Sequence, residues 1–182
     1  MNKISTFEAF SDEAEKISAK IQDANPPRYL VCIDPGVKTG IALYDYDDRK
    51  IKHVTTKEFW GAHDYVVGHF TPAEVLILIE SSESNGFMWN AKGQGVRAAV
   101  RVARSVGQNN REASLLQQRL TMLGYRCALV KPKNTKKSAA YVAKLSGWNG
   151  KTNEHNRDAI MMCLDNSNRQ LFMARMKFEE TT

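Results

Sequence analysis

Residues 29–48, YLVCIDPGVKTGIALYDYDD, decide the fold. Tyr29–Ile33 is a short apolar run, Ile41–Tyr46 a second, and Ile51–Phe59 a third, with Asp47-Asp48 marking a tight turn between the latter two. Three antiparallel strands therefore open the domain. Between the first two, Asp34-Pro-Gly-Val-Lys-Thr-Gly40 forms a sharp turn at Pro35 and Gly36, so the Asp34 carboxylate projects from the sheet edge. Asp, Pro and Gly are also ordinary turn residues, and a plain turn Asp is the competing reading.

Further along, Ala62–Phe70 reads as a short helix before Thr71-Pro72, and Val75–Ile79 is apolar throughout, as a central strand covered on both faces would be. Its polar end is Glu80. A carboxylate directly after five apolar strand residues is costly to desolvate unless a cation or hydrogen bond compensates, although a strand-terminal Glu can also simply meet solvent. A Ser/Asn/Gly loop runs to about Asn90. It leads into a long helical region reaching Leu123, with weak points at Gly107 and Gly124, and then into a fifth strand at Tyr125–Val130. Pro132 interrupts before a helix at Ser138–Leu145, Gly147–Gly150 is a loop, and the last helix runs from Asn153 to about Met173 with Ile160, Met161 and Leu164 on its buried face.

Three strands followed by alternating helix and strand describe a mixed α/β sheet, with Asp34 and Glu80 both at carboxyl ends of strands, where open α/β sheets gather their ligands. His155 and Asp158 stand three apart on the first turns of the last helix and share a face, so they could ligate one ion together. Glu154, four residues before Asp158, is the alternate partner, and the helix dipole accounts for Glu154 and Asp158 without any metal. An oxygen-rich set of this kind suits magnesium.

The 182 residues fit one domain with a substantial core of its own. Ahead of it, Ser5–Ala24 reads as an amphipathic helix with Phe7, Phe10, Ala14, Ile17 and Ile21 on one face, a Ser5-x-x-Glu8 capping box, and Pro26-Pro27 as its end. The expected division is an N-terminal helical extension over 1–27, the mixed-sheet domain over 28–175 and a tail over 176–182. The longest wholly apolar run is Val75–Ile79 and the first residues resemble neither a signal nor a transit peptide, so no membrane association and a soluble, cytoplasmic setting are expected. A bacterial or phage-infected cell is the expected source, an organelle the alternative. Cys32, Cys127 and Cys163 are odd in number and widely spaced, which argues against both a disulfide framework and a zinc site.

Net charge is +6, unevenly spread. Residues 1–27 carry three Lys against five acids, whereas residues 92–151 carry thirteen Lys or Arg against Glu112 alone, a net +12. One-sign concentration over a third of the chain attracts a polyanion, although a basic helical face can equally be a solvated one.

Several segments together resemble the RuvC-type Holliday junction resolvases: CIDPGVKTGIA at 32–42, the apolar strand ending in Glu80, SVGQNN at 105–110, VKPKNTKK at 130–137 and HNRDA at 155–159. The match runs from about residue 29 to 165, and the order and rough spacing of the segments are its specific part. The resemblance implies a ribonuclease H-like fold, a five-stranded mixed sheet flanked by helices, and a homodimer. It also implies an acidic tetrad, here Asp34, Glu80, His155 and Asp158, holding two magnesium ions, with manganese as a substitute. In-line attack by water would leave 5′-phosphate and 3′-hydroxyl ends, and branched DNA, above all four-way junctions, would be the substrate. By the same resemblance Phe87 or Trp89, in the loop after Glu80, wedges against unstacked bases; tucking back onto the core is the alternative. Lys133, Lys136 and Lys137 correspond to the segment that grips the scissile strand, and Lys151 is a further phosphate contact, although the stretch from Lys137 to the last helix is condensed relative to the bacterial enzymes. Arg97, Arg101 and Arg104, at i, i+4 and i+7, form a basic stripe that suits phosphate contact or a solvated face. The acidic N-terminal helix departs from the family pattern, as in a phage-like lineage.

Three rivals bear on this reading. A sugar-kinase or actin-like ATPase also opens with a strand and Asp-x-Gly, but needs two such domains and leaves the basic third unexplained. A ribonuclease H-like enzyme acting on RNA or an RNA/DNA hybrid shares fold and metals. A non-catalytic DNA-binding protein would keep the basic surface without needing four such side chains.

Overall fold

The computed structural model describes residues 27–82, 96–133 and 136–167, with backbone alone for 96–103. The expected helix at Ser5–Ala24, Phe87 and Trp89, the side chains of Arg97 and Arg101, and the tail at 176–182 lie outside the described residues.

In chain order the elements are β1 (Tyr29–Asp34), β2 (Thr39–Asp45), β3 (Lys50–Lys57), α1 (Phe59–His69), β4 (Val75–Glu80), α2 (Val96–Met122), β5 (Arg126–Val130), α3 (Ala139–Ser146) and α4 (Glu154–Asp165). The strands form one sheet in the order β3-β2-β1-β4-β5. β1 pairs antiparallel with β2, and β2 with β3, whereas β1–β4 and β4–β5 are parallel. Helices flank both faces of this mixed five-stranded sheet, the ribonuclease H-like architecture.

Period-two alternation along β1 and β4 explains the two layers. Leu30, Cys32, Leu76 and Leu78 point to one face and pack with Val142 of α3 and Ala159, Ile160 and Cys163 of α4. Val31, Ile33, Ile77 and Ile79 point to the other, against Ala62 and Val66 of α1 and Ala113, Leu116 and Leu120 of α2. Each fully buried Leu or Ile stabilises the fold by roughly 1.5–3 kcal/mol relative to exposure. At the far end of the sheet Asp45, fully buried, accepts from Arg28 at 2.9 Å and from the backbone N–H of Asp47 at 2.9 Å, closing the β2–β3 turn.

Several boundaries differ from the sequence expectation by one to three residues or more. β3 stops at Lys57 and α1 begins at Phe59, because Phe59 packs onto the same cluster as Ala62 and Val66, at helical spacing. Gly107 does not break α2, whose C-terminal half is anchored by Ala113, Leu116 and Leu120; the helix ends instead in a Schellman turn, Tyr125 N–H to Leu120 C=O and Gly124 N–H to Thr121 C=O, with Gly124 at φ 85°. α4 ends at Asp165, where Ser167 Oγ donates to Leu164 C=O, a carbonyl that a further turn would have used, and the Asn166 side chain donates to Met162 C=O; the stretch from 168 to Met173 in the expected helix lies outside the described residues. Among the described residues no helix is long and apolar enough to cross a membrane.

Candidate active site

β1 and β4 are parallel neighbours in register Ile33↔Ile79, so Asp34 and Glu80 leave the sheet side by side at its carboxyl edge. β1 has an antiparallel neighbour on one side and a parallel one on the other, which makes this edge a switch in strand direction and opens a crevice there. Asp34 is 6% exposed.

The third contribution comes from the first turns of α4, held close by two features of the sequence. Gly40, opposite Asp34 in the β1–β2 register, lies directly beneath the helix: a Cβ there would collide with the His155 carbonyl group and sit 2.6 Å from Asn156 N. Asn153 and Asn156 form a capping box, and Asn156, buried, donates from Nδ2 to Thr55 C=O at 2.6 Å while its Oδ1 accepts from Thr56 Oγ1 at 3.0 Å. The helix N-terminus is thus pinned to β3, and His155 and Asp158 are carried to the cleft. On the opposite wall Asn110 of α2 accepts through Oδ1 from Ser82 N–H at 2.9 Å and Ser82 Oγ at 2.8 Å, fixing the residues just after Glu80. Asn110, Asn153, Asn156 and Gly40 were not singled out individually from the sequence. The Asn153-x-x-Asn156 spacing before an apolar helix is a capping signal that could have found two of them.

Asp34, Glu80, Glu154 and Asp158 share an open cleft of about 520 Å³ with Lys133 and Lys136. His155 Nδ1 meets Asp34 Oδ2 at 2.8 Å. Burial raises the Asp34 carboxyl, with the His155 hydrogen bond opposing, while that same bond raises the imidazole. Glu80 is pushed up to about 8 by burial and then by the negative charges of Asp34 and Asp158. Lys136 Nζ bridges Glu154 Oε1 at 2.6 Å and Asp158 Oδ2 at 2.7 Å. Burial works against that ammonium, but its two carboxylate partners outweigh the penalty and raise it.

His155 and Asp158, expected to share an ion, therefore have different partners here, and Glu154 joins Asp158 through Lys136. Among the described residues no three His, Cys, Asp or Glu side chains are drawn together closely enough to hold a metal ion. The chemistry nevertheless fits a hard divalent cation. The donors are carboxylate oxygens and one imidazole, their mutual repulsion calls for positive charge, and a lysine ammonium already serves as a stand-in cation between two of them.

The basic residues spread around this centre. Lys133 bonds Asp165 at 2.6 Å, and Lys137 lies over the Tyr141 ring with its ammonium 5.1 Å from the centroid. Arg104 is exposed on α2, and Lys151 lines a separate groove beside Trp148.

The Gly40 contact sets a sharp expectation. Gly40→Ala drives a methyl group into helix backbone, so it should destabilise the protein by roughly 2–4 kcal/mol and pull His155 away from Asp34. Gly36→Ala meets only the His155 ring, at 2.8 Å, and should disturb that side chain with less loss of stability. Urea denaturation of both variants checks the order; equal, negligible losses would contradict the packing.

No protein-family model matches this sequence, and no curated protein matches it. Among solved structures the chain is similar to T. thermophilus RuvC, determined in complex with a Holliday junction substrate, with a TM-score of 0.51 at 15% identity over 81% of this chain and 95% of that one. At that identity the likeness is one of fold.

Proposed function

We propose that the protein is a magnesium-dependent, structure-selective endonuclease that nicks branched DNA, four-way junctions foremost, leaving 5′-phosphate and 3′-hydroxyl ends. The observation that carries this reading is the meeting of Asp34, Glu80 and the α4 residues Glu154 and Asp158 in one cleft at the switch in strand direction. The concentration of thirteen basic side chains between residues 92 and 151 supports a polyanionic substrate.

In this proposal Asp34 would contribute to holding both ions. Glu80 would help hold one, and Asp158 with His155 the other. When bound, magnesium supplies Lewis-acid stabilisation of the phosphorane-like charge and lowers the pKa of the attacking water. The chain itself does the positioning. Gly40 and Asn156 fix the α4 donors against the sheet, and Asn110 fixes the end of β4. Lys133 lines the cleft, Lys137 an adjoining groove that shares Glu80 and Asp158 with it, and both would neutralise the scissile strand. Phe87 or Trp89 would stack on bases at the branch, a contribution of roughly 1–3 kcal/mol per base. A homodimer would set two such clefts on opposing strands of a junction.

The test is a cleavage panel with magnesium: four-way junction, fork, plain duplex and RNA/DNA hybrid at equal concentration. The junction should be nicked at least about a hundredfold faster than the duplex, a transition-state preference of ~2.7 kcal/mol. Preferential cutting of the hybrid would replace this reading with a ribonuclease H-like one, and tight junction binding without cutting under any divalent ion would leave a DNA-binding protein.

A further inference from the structure

We propose that Lys136 is a built-in counter-cation of the acidic cleft: it neutralises Asp158 while no divalent ion is bound, and is released toward a substrate phosphate when an ion takes that place. This inference rests on the metal-dependent reading above and concerns how the same site is regulated.

The geometry assigns the role. Lys136 Nζ lies 2.7 Å from Asp158 Oδ2 and 2.6 Å from Glu154 Oε1, inside the cleft that also contains Asp34 and Glu80. Of the four lysines in this basic segment, Lys131 lines an adjoining groove, Lys133 is bonded to Asp165 and Lys137 rests over Tyr141, whereas Lys136 is spent on the carboxylates themselves. Its charge reaches the whole set: Lys136 relieves the repulsion felt by both Asp34 and Glu80. An ammonium and a divalent ion on one carboxylate repel each other, and the compact lysine charge sits on a flexible four-carbon stem able to swing away. The Lys136 side chain is 65% exposed, and among the described residues its ion-pair partners are Glu154 and Asp158.

Glu154 acquires a distinct part. With its side chain 56% exposed against 18% for Asp158, it stands at the rim and completes the cage around the ammonium. It is a parking carboxylate for Lys136 in this account, not a metal ligand.

Calorimetric titration of magnesium into the full-length protein, without DNA, tests this directly. Lys136→Gln should tighten magnesium binding about tenfold by removing the competing charge, while Lys136→Arg, which keeps it, should stay within about threefold of wild type. Glu154→Gln loosens the lysine and should also tighten magnesium binding. A second readout is DNA affinity measured with calcium: Lys136→Gln should weaken it at least about fivefold when calcium is present and leave it nearly unchanged in chelator, because the lysine faces DNA only in the loaded state. Equal magnesium affinity for wild type and Lys136→Gln would overturn the counter-cation role, and weaker binding by Glu154→Gln would make Glu154 a ligand instead. Absence of magnesium uptake by wild type and Lys136→Gln alike would sink the metal-dependent reading itself. Circular dichroism of each variant shows that the fold is retained.

Discussion

Asp34→Asn should abolish strand cleavage, lowering the single-turnover nicking rate by at least about a thousandfold, or ~4 kcal/mol of barrier, while leaving the fold intact. The asymmetry follows from the environment of the residue. Asp34 is 6% exposed and burial already disfavours its charge, so an isosteric neutral amide removes a desolvation cost, and its side-chain oxygen can still accept from His155 Nδ1. What the amide lacks is the anionic oxygen that would bridge two ions. Junction binding measured with calcium should therefore remain within about fivefold of wild type, since the basic segments that supply affinity are untouched. Nicking by the variant within tenfold of wild type would remove Asp34 from the chemistry.

Glu80→Gln should act on stability as well as activity, in opposite directions. The Glu80 carboxyl is held up at about 8, against an ordinary value of 4.5, so the folded state binds its proton more tightly than the unfolded chain does. Below pH 4.5 both states are protonated and this contribution is present in full. As pH rises from 4.5 to 8 the unfolded carboxyl ionises while the folded one resists, and the contribution is progressively lost. Glutamine keeps the neutral form at every pH. In chelator at pH 8 the variant should melt about 5–10 °C above wild type, the expected consequence of a few kcal/mol in a domain of this size. Magnesium should stabilise wild type and narrow that gap, and cleavage by the variant should be lost. A variant less stable than wild type in chelator at pH 8 would mean that the Glu80 charge is welcome there without any ion.

Much of this architecture was readable from local pattern. The apolar runs at Tyr29–Ile33 and Val75–Ile79 announce strands buried on both faces, and each ends in a carboxylate, so the side-by-side placement of Asp34 and Glu80 follows once the two strands pair in parallel. Contacts between distant segments were less legible. His155 lies 121 residues from Asp34, and the direction in which its ring turns depends on how closely α4 can approach Gly40, which spacing alone does not encode. Lys136 reads in the sequence as one more member of a basic run, because its bond to Asp158 joins residues 22 apart on different elements. The early start of α1 was hidden for a similar reason: Phe59 suits strand and helix alike, and the tertiary cluster it joins makes the choice.

The reach of α2 has a consequence for how a long molecule can approach. Asn110 is level with Ser82 at the end of β4, yet the helix begins at Val96, so its first fourteen residues, roughly 21 Å of rod, stand proud of the sheet like a parapet. Glu154 and Asp158, on the first turns of α4, line the same cleft. A filament lying across the carboxylates would therefore meet the neutral side chains of Ser105, Asn109 and Asn110 along one flank and the charged Lys133, Lys136 and Glu154 along the other, so its two possible headings are not equivalent.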